Sequence, residues 1–131
     1  MKAKKQLGIW MDHSTANIME LFNDKILIVT LDSTPAFPDR IEDLRMDERL
    51  MHNKEQNMES DFYEKLSSII MEYNEVLLFG PTKAKTELFN RLRKNRRFED
   101  IHISVETTGK ITEHQQQAFL KQFYNKKAHN A

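Results

Sequence analysis

Residues 75–108, EVLLFGPTKAKTELFNRLRKNRRFEDIHISVETT, constrain the fold more than any other part of the chain. An apolar run at 76–79 meets a sharp Gly80-Pro81 turn. A basic segment follows with Ala84, Leu88, Phe89 and Leu92 at helical spacing. Ile101, Ile103 and Val105 then alternate with His102, Ser104 and Glu106. The pattern is strand, helix, strand, and two strands joined by a crossover helix lie parallel in one sheet. The first is apolar throughout, as a central strand covered on both faces is; the second alternates and belongs nearer an edge.

Upstream, LGIWMD at 7–12, TANIMEL at 15–21 and KILIVTL at 25–31 are β-rich runs. Two-residue connections at His13-Ser14 and Asn23-Asp24 separate them, which predicts an antiparallel meander. From Asp32 to Glu59 the pattern loosens. Pro35 and Pro38 interrupt it, and the charged stretch that follows predicts a loop or a helical arm. Arg45, Arg49 and His52 would share one face of such a helix. They fit either a solvated face paired with Asp43, Asp47 and Glu48 or an RNA-contacting arm.

Ser60 is a candidate cap for a helix carrying Phe62, Leu66, Ile69, Ile70 and Tyr73 on one stripe, ending near Asn74. Beyond Gly109, Thr112 and Gln115 form a capping box that opens a last helix with Ala118, Phe119, Leu120 and Phe123. A tail is expected to fray from about residue 125 to 131. The order β-β-β-α-β-α-β-α predicts an α/β fold, a five-stranded mixed sheet flanked by helices, which is the ribonuclease H-like order.

The chain's 131 residues fit one domain. Lys plus Arg equals Asp plus Glu at 20 each, so attraction to nucleic acid must come from local clustering. Cysteine is absent, which excludes disulfides and thiolate metal sites and suits a reducing compartment. No apolar run is long enough to span a membrane, and MKAKKQ is not followed by a signal-peptide core, so a cytoplasmic protein is expected.

Arg91, Arg93, Lys94, Arg96 and Arg97 put five bases within seven residues. Helix-dipole compensation with a Glu87–Arg91 pair is one reading of this cluster; polyanion contact is the other, since five bases exceed what capping requires. Lys83 and Lys85, in the first turn of the same helix, offer a second anion site, with Thr82 as candidate cap. Neither dinucleotide-binding nor P-loop glycines are present, so no nucleotide cofactor is expected.

Asp12 ends the first strand, where a metal-dependent nuclease of ribonuclease H type places a carboxylate, with Glu20, Glu64 and Glu106 as companions. No Asp follows the strand at 76–79, and Asp12 also suits a turn-forming role. His13, His52, His102, His114 and His129 show no zinc spacing, so no metal site is expected. The seven methionines, Met46, Met51 and Met58 among them, read as flexible core filler or a soft partner surface.

Three segments, GIWMDHSTANIMEL, EVLLFGPTKAKTELFNRL and VETTGKITEHQQQAFLKQFY, together cover most of the chain. They resemble small bacterial translational machinery proteins related to the middle domain of eukaryotic and archaeal peptide-chain release factors and of Pelota. The resemblance implies a ribonuclease H-like fold that binds translation components. In release factors a Gly-Gly-Gln loop between the third strand and the first long helix reaches peptidyl-tRNA. The matching residues here, 32–59, contain no glycine, so no peptidyl-tRNA hydrolase activity and no catalytic residue are expected.

The sequence thus points to a non-catalytic RNA- or ribosome-binding domain using Lys83, Lys85, Arg91, Arg93, Lys94, Arg96 and Arg97, with Arg45, Arg49 and His52 as an accessory arm. A nuclease built on Asp12 and a homo-oligomeric interaction module with an exposed strand edge are the alternatives.

Overall fold

The computed structural model describes residues 5–32 and 61–129. The meander is β1 (Gln6–Met11), β2 (Thr15–Phe22) and β3 (Lys25–Asp32). Residues 61–70 are helical (α1). Then come β4 (Glu75–Gly80), α2 (Ala84–Arg93), a 3-10 turn (Arg96–Phe98), β5 (His102–Thr107) and α3 (Glu113–His129). The sheet order is β3-β2-β1-β4-β5. β1, β2 and β3 pair antiparallel in sequence, whereas β1–β4 and β4–β5 are parallel. The mixed sheet expected from the sequence is therefore the observed one.

Local chemistry sets the turns. Asn23 and Asp24 have φ of 49° and 68°, the two left-handed positions of a hairpin turn whose twist matches the flanking strands. Asn and Asp tolerate that region better than other side chains do. At the first hairpin Asp12 takes over: its Oδ1 accepts from the Ser14 and Thr15 amides, each at 2.8 Å, and from the Ser14 hydroxyl at 3.1 Å.

Helices cover both faces of the sheet. On one, Leu7, Ile9, Met11, Ala16, Ile18, Val76 and Leu78 pack with Phe62, Tyr63, Leu66 and Ile70 of α1 and Ala84, Leu88 and Leu92 of α2. On the other, Met19, Leu77 and Phe79 meet Leu120 and Tyr124 of α3. β4 is buried at every position, as its unbroken apolar pattern predicts. A Cβ on Gly8 would collide with the side chain of Leu120, so α3 sits close against β1. The Tyr124 hydroxyl locks that approach by donating to the Leu7 carbonyl at 2.9 Å. Burial, with the nearby Glu75 carboxylate adding to it, holds this phenol far above its ordinary value.

One expectation for α3 needs correction. The helix runs through His129, and Lys127 lies 3.6 Å from the buried Glu75 carboxylate, a contact that ties α3 to β4. Ala118 faces solvent, and Gln116 is the buried residue at 3% exposure. Its amide accepts from Asn17 at 2.8 Å and donates to the Ile111 carbonyl at 3.1 Å, so its polar atoms are satisfied inside. Ser60, Met46, Met51 and Met58, and the arm expected at 32–59 beyond Asp32 itself, lie outside the described residues.

Gly80 ends β4 with φ of 151°, and a Cβ there would strike the Met11 carbonyl oxygen. Both the conformation and the backbone contact require glycine. Gly80→Ala is expected to cost on the order of 2–3 kcal/mol, read as a lower midpoint in urea unfolding with little change in slope.

Candidate nucleic-acid interface

The basic cluster owes its shape to the way α2 ends. Leu88 and Leu92 bury the inner stripe of the helix. The Asn95 amide then closes a turn onto the Leu92 carbonyl at 3.0 Å. Asn95 Oδ1 in turn accepts from the Arg97 amide at 3.0 Å, capping the 3-10 turn. Phe98 is buried and pins this turn to the core. The chain thus folds over a fixed apolar anchor, and Arg91, Arg93, Lys94, Arg96 and Arg97 are all left exposed.

A groove of about 500 Å³ runs between α1 and this basic end. Glu64, Ser67, Ser68, Arg91, Asn95 and Arg97 supply its polar lining, and Met71, Leu92 and Phe98 its apolar part. A smaller depression of about 150 Å³ adjoins it, bordered by Arg93, Lys94, Arg96 and Glu99. The Arg91 guanidinium lies 6.0 Å from the Tyr63 ring centre and that of Arg93 5.3 Å from Phe89, distances at which cation and ring attract. Guanidinium groups held beside hydroxyl and amide donors suit phosphate oxygens, which accept from both.

Other nominated residues fall elsewhere. Lys83 is exposed at the start of α2, and ten residues of helix put it roughly 15 Å from the cluster. Lys85 is only 4% exposed, and its ammonium donates back to the Thr82 carbonyl. Thr82 Oγ1 accepts from the Ala84 amide at 3.2 Å, satisfying one of the free donors that the turn was expected to offer. Arg45, Arg49 and His52 lie outside the described residues. Ser67, Ser68 and Asn95 escaped the sequence reading, because only packing brings α1 beside the end of α2. Asn95 between flanking bases carried the one usable signal, as a cap residue.

No protein-family model matches the chain, and no curated protein matches its sequence. Solved structures do. Pelota from Archaeoglobus fulgidus superposes with a TM-score of 0.58 at 10% identity, over 92% of this chain and 32% of that one. Pelota from Thermoplasma acidophilum gives 0.58 at 12%, over 90% and 32%. The archaeal translation termination factor aRF1 gives 0.48 at 14%, over 95% and 40%. The fold is ribonuclease H-like. The chain spans about a third of the length of the Pelota chains it matches.

That fold makes the end of β1 the place to examine for a metal-binding carboxylate. Asp12 Oδ1 already holds the three donors of the hairpin turn. Burial alone would raise this carboxyl, but the Ser14 and Thr15 amides, the Ser14 hydroxyl and neighbouring His13 outweigh it and bring it below its ordinary value of 3.8. Glu20 pairs in register with Leu7, near the opposite end of β1. It faces Tyr73, whose hydroxyl is pushed up to about 12 by burial and then by the charge and hydrogen bond of Glu20. Glu64 borders the basic groove, and Glu106 is two strands away on β5. Among the described residues no three His, Asp or Glu side chains converge as a metal site would require. His13 Nε2 instead lies 3.3 Å from Glu87, which also accepts from the Tyr63 hydroxyl at 2.9 Å. These contacts tie the first hairpin to α1 and α2. Among the described residues no helix is long and apolar enough to cross a membrane.

Asp12→Ala is expected to cost about 1 kcal/mol at neutral pH, measured by denaturant unfolding. Because the folded carboxyl titrates below its unfolded value, this contribution is complete above the unfolded value and fades as pH falls through the folded one. The gap between wild type and variant should therefore close in acid.

Proposed function

We propose that this protein is a non-catalytic RNA-binding domain of the translation-factor type, acting in the cytoplasm on ribosomal or similarly structured RNA. The observation that carries the reading is the groove between α1 and α2, bordered by Arg91 and Arg97 and continued by Arg93, Lys94 and Arg96. A chain with no net charge concentrates positive potential there, beside polar groups that accept or donate to phosphate and ribose. The Pelota-like fold and the sequence resemblance to release-factor middle domains agree with it. In this reading Arg45, Arg49 and His52 serve as an accessory arm, within a single domain covering the whole chain. The lack of glycine at residues 32–59 supports binding without peptidyl-tRNA hydrolysis. The geometry at Asp12 gives the nuclease reading no separate support.

Phosphate contact releases counterions, so affinity should fall steeply with salt. Converting Arg93, Arg96 and Arg97 together to Glu should abolish co-sedimentation with ribosomes and flatten the salt dependence of RNA binding by about two to three contacts. These side chains are exposed, so circular dichroism and thermal unfolding should stay near wild type. Binding that survives the triple change, or that does not respond to salt, would overturn the reading.

A further inference from the structure

α3 leaves a second groove on its own side of the sheet. The helix lies over β1, where Gly8 admits Leu120 and the Tyr124 hydroxyl reaches the Leu7 carbonyl. β5, the outermost strand on that flank, turns His102, Ser104 and Glu106 to the α3 side. These three stand in register with Glu75, Leu77 and Phe79, and Leu77 and Phe79 pack under α3. The apolar Ile103 and Val105 face the opposite way, into the cluster of α1 and α2. No apolar side chain of β5 therefore closes the join with α3. An opening of about 530 Å³ remains there, lined by Glu106 and by Phe119, Gln122, Phe123, Lys126 and Lys127 of α3.

Charge runs along this groove in a fixed order. Phe119 stacks on Phe79 with ring centres 5.1 Å apart, which places it beside Glu106, the register partner of Phe79. Lys127 lies 3.6 Å from Glu75, which is four strand residues, or roughly 13 Å, back along β4. A carboxylate thus stands at one end and two ammonium groups at the other, with Phe119 and Phe123 between them, one helical turn apart. Lys127 is engaged by Glu75, whereas Lys126 is exposed. The complementary ligand is a flat apolar ring with a donor on one edge and an anion at the far end, of small-molecule size. A nucleotide with an exocyclic amine on its base has that build.

Position in the fold selects RNA as the source of that nucleotide. Residues 99–101 alone separate the basic 3-10 turn Arg96–Phe98 from His102, the first residue of β5. His102 pairs with Glu75 and so lies at the Lys127 end of the groove. Cations at the end of α2 on one face and at the end of α3 on the other therefore flank the same outer edge of the sheet; the exposed acids Glu99 and Asp100 between them are outnumbered. A free nucleoside triphosphate finds no glycine-rich phosphate loop in the chain, and among the described residues no carboxylate cluster for its metal ion. We infer that a single-stranded segment of the RNA held by the basic groove crosses the β5 edge and places one unpaired nucleotide in the α3–β5 groove. Its base stacks on Phe119 and Phe123, its amine donates to the Glu106 carboxylate, and its phosphate accepts from Lys126. The inference rests on the RNA-binding reading and adds to it a preference for unpaired adenine, cytosine or guanine over uracil, which has no exocyclic amine.

Fluorescence anisotropy with the full chain and labelled short oligoadenylate, oligouridylate and duplex RNA tests this. Oligoadenylate should bind more tightly than oligouridylate. Phe123→Ala should weaken oligoadenylate about tenfold and leave the duplex, whose bases are already stacked, unchanged. Because Phe123 also packs against Tyr124, two exposed positions check the result without disturbing the fold. Glu106→Ala should remove the preference for oligoadenylate, and Lys126→Glu should lower the salt slope for single strands by about one contact. If all three variants bind oligoadenylate as wild type does, while the joint change of Arg93, Arg96 and Arg97 still abolishes binding, the inference fails and the basic-groove reading stands. A chain that binds none of the three RNAs overturns both. Adenosine monophosphate that binds the groove as tightly as oligoadenylate makes it a site for a free nucleotide and overturns the RNA assignment.

Discussion

Parallel pairing of β1 with β4 joins the antiparallel meander to the crossover unit, and the packing on both faces depends on it. The seam leaves little room. Gly80 brings β4 against the Met11 backbone, Gly8 lets Leu120 settle over β1, and the Tyr124 hydroxyl takes the Leu7 carbonyl. With β1 and β4 fixed, α1 and α2 have one apolar face to share and α3 has the other. The groove lies between these two helices, lined by Glu64, Ser67 and Ser68 of α1 and by Arg91, Leu92 and the turn after α2.

The periodic parts of the fold were legible in the sequence. Alternation in β5, the continuous apolar run of β4 and the Asn23-Asp24 turn each report a local preference that the tertiary structure keeps. What was not legible depends on which side of a helix faces in. Lys85 reads as an anion contact, yet it is buried and its ammonium donates to the Thr82 carbonyl three residues back. Gln116 stands in a Gln-rich stretch with no mark of burial, yet Asn17 and Ile111 receive it inside. In both cases a hydrogen-bond partner takes up the polar atoms in the fold, and spacing along the chain does not announce it.

The basic site was half visible. Five cations stand together in the sequence, but the walls that make a surface into a groove come from α1, where Ser67 and Ser68 follow no motif. Asp12 shows the reverse case. Its place on the first strand of a ribonuclease H-like fold invites a catalytic reading, while its carboxylate is engaged in closing a hairpin. Position in a fold and chemical role are separate facts.

The β1–β4 seam also shapes how the chain reaches its native state. Lys5 bonds to Asn74, 69 residues away, whereas each hairpin of the meander closes across a few residues. Contact order makes the meander an early product and the seam a late one. Until β4 arrives, β1 presents an unpaired edge. Changes that slow closure of the seam would therefore lengthen the life of a species with a sticky edge, so loss of soluble yield would precede any loss of equilibrium stability.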